Sequence, residues 1–479
     1  MKPECQEAFC RLWARVPAHV CEVNFGLGHD AWTAKDIDSL ADVLVEHADW
    51  FSAHKTDLGH CTTLPFRIDL KPGTRPVKQR PYRRSPVINR KIKIEIDRLV
   101  SCGILRKFTS NWASPLVAVL KEDGSLRLTC NFTRSNEATI VPVFPMPLVS
   151  DLISALGGSK VFSVLDLMSG YFQAAIDESS IPLTAVCTSF GLSEWTRTPQ
   201  GYSGSPANFQ SLMAKLRELL VRFTEFDLKL SPKKAHIGSA EVTFLGHLIT
   251  PFSVRPDPKK TDAMAKMKMP KTKSELRSML GSVSYLRKFL PNLARNITDL
   301  TALLEKDAHF KFTAHHEQLT KAVLAQLASY EVLAFPDYAA AIDGTRKFRL
   351  TTDASISGFG AVLEQPQEDG TVSPLVYVSR STLPNEANWD VSSLECGALV
   401  WAIRKLRDCL YGIPFEAFTD HKPLLSFFSM GEKKPRVQRM GDFLSAYSFT
   451  LSYRKGKDNR MLCPVCHSRP RQAILTNAS

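Results

Sequence analysis

Long apolar runs are missing from this 479-residue chain, and none approaches the roughly 18 residues that a membrane span requires. The N-terminal stretch MKPECQEAFCRLWARV lacks the apolar core of a signal peptide. Cysteine is present without a pattern. The 11 residues (Cys5, Cys10, Cys21, Cys61, Cys102, Cys130, Cys187, Cys396, Cys409, Cys463 and Cys466) are scattered and odd in number, which argues against a disulfide framework and for a reducing compartment. Internal repeats and low-complexity tracts are also absent. Together these absences predict an intracellular protein of the cytoplasm or nucleus, with no membrane contact. Residues 1–45 suggest no more than a short helix and are left unassigned.

What remains is ordinary globular material, 44% hydrophobic and 23% charged, too long for a single compact core. The net charge of +13, from 61 Lys and Arg against 48 Asp and Glu, favours a polyanionic partner but does not by itself establish one. The charge is concentrated. Between Lys71 and Lys107 stand 12 basic residues against only Glu95 and Asp97. Within that stretch Pro86, the shared face of Ile88, Ile92, Ile96, Leu99 and Val100, and then Gly103 predict a helix. Residues 112–135 predict a hairpin turning on Glu122-Asp123-Gly124. VFSVLDL (161–167) predicts a short buried strand ending in an aspartate, and AEVTFLGHLIT (240–250) another strand or hairpin. A lysine-rich stretch punctuated by Pro256, Pro258 and Pro270 predicts a boundary, with helical pattern to about residue 330.

The last third has its own character. KFRLTTDAS, GFGAVLEQ and SPLVYVS predict three strands. SLECGALVWAIRKLRDCLYG predicts one helix, capped by Ser392 or Ser393 and stopped by Gly412, with Leu399, Ile403, Leu406 and Leu410 on one face. FEAFTDHKPL predicts a fourth strand. A β-β-β-α-β order defines a layered mixed-sheet domain. It places Asp353 on the first strand, Glu395 in the first turn of the helix and Asp420 at the end of the fourth strand. Three carboxylates that converge would repel and resist burial unless divalent cations such as Mg²⁺ neutralised them. A two-metal site of that kind activates water and stabilises the oxygen leaving a phosphodiester.

The phrases TTDAS, LECGALVWAIRKLR and TDHKPL resemble the RNase H domain of gypsy-type LTR retrotransposons. The resemblance implies cleavage of the RNA strand of an RNA–DNA hybrid with Mg²⁺, and makes Asp353, Glu395 and Asp420 three of four catalytic acids. The fourth belongs in a tail resembling GKxNxxADxLSR, but this chain reads GKDNRMLCPVCHSRP, with Cys463 at or near that acid's place. Cys463, Cys466 and His467 lack the second ligand pair that a zinc site would need.

Upstream, SCGILRKFTSNWASPLVAVLKEDGSLRL, GGSKVFSVLDLMSGYFQAAID and TPQGYSGSPANFQ resemble the fingers and palm of the same family's reverse transcriptase. By that resemblance Asp166 is the first catalytic, metal-binding aspartate of the polymerase. Lys121 and Arg127 hold the triphosphate, Tyr171 gates the sugar and Gln200 lies at the nucleotide pocket. VTFLGHLI resembles the part that grips the primer, implying nucleic-acid contact by Phe244, Leu245, Gly246 and His247. The implied partners are RNA–DNA hybrid, primed template and deoxynucleoside triphosphates. The implied activities are RNA-directed DNA polymerase (a nucleotidyltransferase) and RNase H, an endonuclease and hydrolase.

One element of the pattern is missing. Such a palm needs two adjacent aspartates on a hairpin, and this sequence contains no Asp-Asp pair anywhere. A few dozen residues are absent after Leu220, and VRFTEFDLKLSPKK follows at once. Asn131 and Thr133 replace the family's Asp and Arg, and Tyr202 replaces a small or apolar residue. The expectation is therefore an α/β and α+β multidomain fragment of a retroelement polyprotein, defective as a polymerase. It divides into the unassigned 1–45, fingers and incomplete palm over 46–250, a thumb- or connection-like helical region over 251–340, an RNase H-like mixed-sheet domain over 341–468 and a tail over 469–479. The alternative is a non-catalytic nucleic-acid-binding remnant or a mis-spliced gene product with at most residual RNase H activity.

Overall fold

The computed structural model describes residues 3–26, 32–120, 124, 126–215, 223, 226–328, 332–427 and 435–455. It divides into two compact units, residues 1–151 with 161–240, and residues 152–160 with 241–479.

In the first unit, the segment left unassigned from sequence forms two helices, Pro3–Arg15 and Ala34–Glu46. Thr33 caps the second one. Its hydroxyl accepts the Asp36 N–H, and the Asp36 carboxylate accepts the Thr33 N–H in return, which closes a capping box. Phe9, Leu12, Ile37 and Leu44 from these helices share one core with Trp50, Phe51, Leu228 and Leu230. The strand Asn24–Phe25 pairs parallel with His236–Ser239, which pairs antiparallel with Phe162–Val164. The N-terminal segment is thus part of this unit's core and sheet.

A second sheet in this unit runs Leu105–Lys107, Gly191–Trp195, Val186–Thr188, Ser114–Leu120, Leu126–Cys130 in spatial order. Its last two strands are the expected hairpin, with Leu116 opposite Cys130 and Leu120 opposite Leu126. The helix Pro86–Ser101 is capped by the Ser85 hydroxyl, and Ile92, Ile96 and Leu99 are buried against the hairpin's Leu116 and Leu128. Arg90, Lys91 and Lys93 remain on its exposed face.

The second unit opens with a four-stranded sheet: Val242–Phe244, His247–Ile249, Ser253–Pro256 and Leu333–Ala334. Pro258 is the first residue of the helix Pro258–Ala265, where its missing N–H costs nothing. The division between units falls after Ala240, ahead of all three boundary prolines.

The C-terminal part carries a five-stranded sheet. We number its strands β1 (Phe348–Ser355), β2 (Gly358–Pro366), β3 (Val372–Ser381), β4 (Phe415–Thr419) and β5 (Phe449–Tyr453). The order is β3-β2-β1-β4-β5, with β1 central. The first three strands are antiparallel, whereas β4 runs parallel to β1 and β5 parallel to β4. Helix α1 (Val391–Lys405) packs on the sheet, burying Leu399, Ala402 and Ile403 against Leu350, Leu363 and Ala417. A second helix, α2 (Pro435–Leu444), packs against α1.

Three sequence expectations change here. The α1 cap is Asp390, not Ser392 or Ser393, because its carboxylate reaches the Ser393 N–H. The helical stretch breaks at Leu406 before a separate turn at Arg407–Leu410, and Glu395 accordingly lies in the second turn of α1. A fifth strand, β5, closes the sheet, its Phe449 ring stacked 5.3 Å from Phe415.

Candidate functional site

The parallel pairing of β1 and β4 sets Thr351 opposite Phe418. Asp353 and Asp420, each two residues further on, therefore stand level at the same end of neighbouring central strands. Glu395 approaches them from α1. Its side chain is buried and accepts a hydrogen bond from the Ala354 backbone, next to Asp353. Its Oε2 is buried and has no hydrogen-bond partner. Burial first, then the charges of Asp420 and Asp353, push the Glu395 carboxyl up to about 8. Asp420 and Asp353 are therefore both close enough to Glu395 for their charges to act on it. They are not drawn into direct ligation distance, and no group of three His, Cys, Asp or Glu among the described residues is so gathered.

Two supports of this corner escaped the sequence reading. His421 Nε2 and Ser392 Oγ lie 2.9 Å apart and tie the loop after β4 to the start of α1. That tie fixes Asp420 relative to Glu395, and the only sequence signal was a histidine next to the aspartate. Gly360, opposite Asp353 across β2, leaves room for Asn292, whose Oδ1 would lie 2.0 Å from any Cβ placed there. The expected fourth acid's position, with Cys463, Cys466 and His467, lies outside the described residues.

The other half is built differently. Asp166 follows the Phe162–Val164 strand, an edge strand among the described residues. Its carboxylate is paired at 2.8 Å with the Lys234 ammonium. The backbone around it is held by residues 229–231. Ser231 N–H donates to the Asp166 carbonyl, Met168 N–H donates to the Lys229 carbonyl, and Leu167 bridges antiparallel to Leu230. Gln173 locks this arrangement. It is completely buried, donates to the Met168 and Lys229 carbonyls and accepts the Lys229 N–H. Nothing in the sequence marked Gln173, whose role depends on residues 56 positions away.

Tyr171 lies in a short helical turn, Gly170–Gln173, its ring 5.1 Å from that of Phe209. The structure brings Arg127 and Gln200 together, the guanidinium donating twice to the Gln200 Oε1. Lys121 lies outside the described residues, as does the join after Leu220. Asn131 donates to the Tyr82 hydroxyl, and Tyr202 is buried between Phe66 and Phe132, where burial pushes its phenol up. Asp227 stands at positive φ (45°) and accepts the His60 N–H, so its carboxylate is used in a turn.

The expected primer-gripping phrase is a tight hairpin. Phe244 and His247 are paired, and Leu245 and Gly246 turn the chain at φ 46° and 71°. Leu245 is exposed at the tip. His247, expected as a nucleic-acid contact, is instead 2% exposed and packed between Tyr285 and Phe289. Burial, followed by the nearby Lys288 charge, lowers its imidazole to about 4, so it is a neutral support of the hairpin. The Tyr285 hydroxyl donates to the Leu245 carbonyl and braces the same turn.

The chain carries a segment of the family described as reverse transcriptase (RNA-dependent DNA polymerase) over residues 119–220, and an RNase H-like domain found in reverse transcriptase over residues 343–447. Its curated relatives are transposon Pol polyproteins. One is the retrovirus-related Pol polyprotein from transposon 412 of Drosophila melanogaster, 30% identical over 88% of this chain and 36% of that protein. Another is the transposon Tf2-3 polyprotein of Schizosaccharomyces pombe, 27% identical over 83% of this chain and 32% of that protein. The chain thus spans about a third of the length of these relatives. Among solved structures, the foamy viral protease–reverse transcriptase in complex with dsDNA matches with a TM-score of 0.75 at 22% identity, covering 94% of this chain and 97% of that one. The same enzyme's complex with RNA/DNA hybrid matches at 0.71 and 20% identity, covering 99% of this chain and 65% of that one. The fold is that of a reverse transcriptase with an RNase H domain. No helix among the described residues is long and apolar enough to cross a membrane.

Proposed function

We propose that this chain is a gypsy-type retroelement fragment that cleaves the RNA strand of RNA–DNA hybrids and does not extend primers. The observation that carries the reading is the corner formed by Asp353 and Asp420, level at the ends of parallel strands, with Glu395 near enough to respond to both charges. Three hard oxygen donors, one with a buried and unpartnered oxygen, fit Mg²⁺. Bound there, magnesium would supply Lewis-acid stabilisation of the phosphate and a more acidic attacking water. The chain's own residues hold that geometry: the Ala354 N–H orients Glu395, and the His421–Ser392 contact fixes the loop carrying Asp420.

The sequence offers no adjacent aspartate pair to clamp a nucleotide's phosphates beside Asp166. The Lys234 ammonium already compensates Asp166, so an incoming metal must displace it. Basic surface such as Arg90, Lys91 and Lys93 would grip nucleic-acid backbone without sequence preference. The looseness of the three carboxylates supports the second reading, a binding remnant that no longer cuts.

The test is incubation of the purified chain with a labelled RNA–DNA hybrid and Mg²⁺, beside its Asp353→Asn variant. Cutting that vanishes in the variant supports the first reading. Salt-sensitive binding with no cutting in either protein supports the second.

A further inference from the structure

Helix α1 has a second working face. Gly397, Val400, Trp401 and Arg404 recur at three- and four-residue steps and lie about half a turn around the helix from Glu395. That face lines a cavity of about 480 Å³, closed on the other side by Arg436, Arg439, Met440 and Phe443 of α2. The α2 residues recur at the same steps, so one face of each helix is committed to the cavity. It belongs to the C-terminal unit alone and excludes Asp353, Glu395 and Asp420.

The lining is aromatic and cationic together. Trp389 is seated on α1 because Gly397 has no side chain: a Cβ there would come within 2.7 Å of the indole. The Arg436 guanidinium lies 4.5 Å from the Trp389 ring centroid, and that of Arg404 lies 4.8 Å from Phe443. Arg380 braces Trp401 from 5.6 Å while its charge is met by both oxygens of Glu386 at 2.6 and 2.7 Å. The one acid among the described residues that line the cavity is thereby neutralised. Arg404 and Arg436, both exposed, reach no carboxylate among the described residues. The site therefore sets guanidinium forks against indole rings, and an exposed Arg436 side chain can swing aside from Trp389 to admit a flat ring.

We propose that this cavity binds a nucleoside phosphate, the base stacking on Trp389 or Trp401 and the phosphate taken by Arg404 and Arg436. Guanidinium forks match phosphate oxygens, and a base stacks on an indole whatever its sequence. A cavity of this volume is of small-ligand size. Inorganic phosphate alone would leave the indoles without a function. The same chemistry reaches the site either as a free nucleotide or as an unpaired nucleotide of a single strand. The proposal stands apart from the cleavage reading, because binding is measured whether or not the chain cuts hybrid.

The test is tryptophan fluorescence and equilibrium dialysis on the full chain with AMP, adenosine, inorganic phosphate, a short single-stranded oligodeoxyadenylate and phosphotyrosine. The comparison protein is the Arg404→Gln/Arg436→Gln double variant, with Arg404→Lys/Arg436→Lys as the conservative control. The expected result is one AMP site per chain, at least tenfold weaker for adenosine and for phosphate, and weakened at least tenfold by the glutamine pair. Partial recovery with the lysine pair is also expected. Saturation by the oligonucleotide but not by AMP, with the same loss in the glutamine pair, supports the single-strand source. Three results would overturn the proposal: no binding of either nucleotide probe, binding indifferent to the double variant, or preference for phosphotyrosine over AMP. Both arginines are exposed, so the variants should fold, and matching melting curves confirm it.

Discussion

The two halves of this chain hold their aspartates in opposite ways. In the C-terminal sheet Asp353 sits on a central strand, and burial first, then the charges of Asp420 and Asp353, push the nearby Glu395 carboxyl up to about 8. In the first unit Asp166 follows a three-residue edge strand, and its neighbour is a lysine. Acids kept together fit the cations of the proposed cleavage site, whereas an acid paired with an ammonium is already compensated within the protein. The difference follows from the local fold: the strand carrying Asp353 is paired on both sides, whereas the strand before Asp166 lies at a sheet edge among the described residues.

The largest expected effect tests the C-terminal member of the comparison. Asp353→Asn should lower hybrid cleavage by at least about three powers of ten, as loss of one member of a catalytic unit does. Single-turnover cleavage rates will show it, and a variant that still cuts at a comparable rate would remove Asp353 from the site.

The next effect is on stability and has a definite sign. Glu395 keeps its proton in the folded state up to about pH 8, but releases it near 4.5 when unfolded. The folded state therefore binds more protons in that window, and stability falls as pH rises through it. Without metal, Glu395→Gln should stabilise the C-terminal unit by a few kcal/mol at pH 8, growing at about 1.4 kcal/mol per pH unit, and by nothing below pH 4.5. Denaturant melts in EDTA at pH 4.5 and pH 8 would measure it. A difference independent of pH would mean that the carboxyl is not under strain.

Gln173→Ala addresses the other half. It strips three hydrogen bonds from a fully buried amide and leaves the Lys229 backbone unsatisfied. A cost of about 3 kcal/mol to the first unit is expected, read from urea midpoints. The smallest effect belongs to Asp166→Asn. Its pair with Lys234 is substantially exposed on both sides, so stability should change by less than about 1 kcal/mol and hybrid cleavage should stay as it was. A large loss in either would make Asp166 part of something this account has missed.

Much of the C-terminal half was legible because its signals are local. Alternating strands, the Leu399–Ile403 face and the TTDAS and TDHKPL phrases each fit within a few residues. The cap was misplaced by two or three positions, since a serine and an aspartate compete for that role and only geometry decides. β5 was missed although Phe449, Leu451 and Tyr453 alternate, because it pairs with β4 across an intervening helix. Where the sequence suggested no more than one short helix in residues 1–45 there are two, although Thr33 and Asp36 stand at capping-box spacing, with aspartate in the place more often held by glutamate. Gln173 and the inward turn of His247 could not have been read at all. Each depends on partners brought near only by the fold.

The central claim is that one half still acts and the other does not, and a single reaction reads both. The chain is mixed with Mg²⁺, all four deoxynucleotides and an RNA template annealed to a DNA primer, with the RNA and the primer carrying different labels. The account predicts that the RNA shortens while the primer keeps its length, and that Asp353→Asn stops the shortening. A lengthening primer, or RNA left whole beside an active control enzyme, would contradict it.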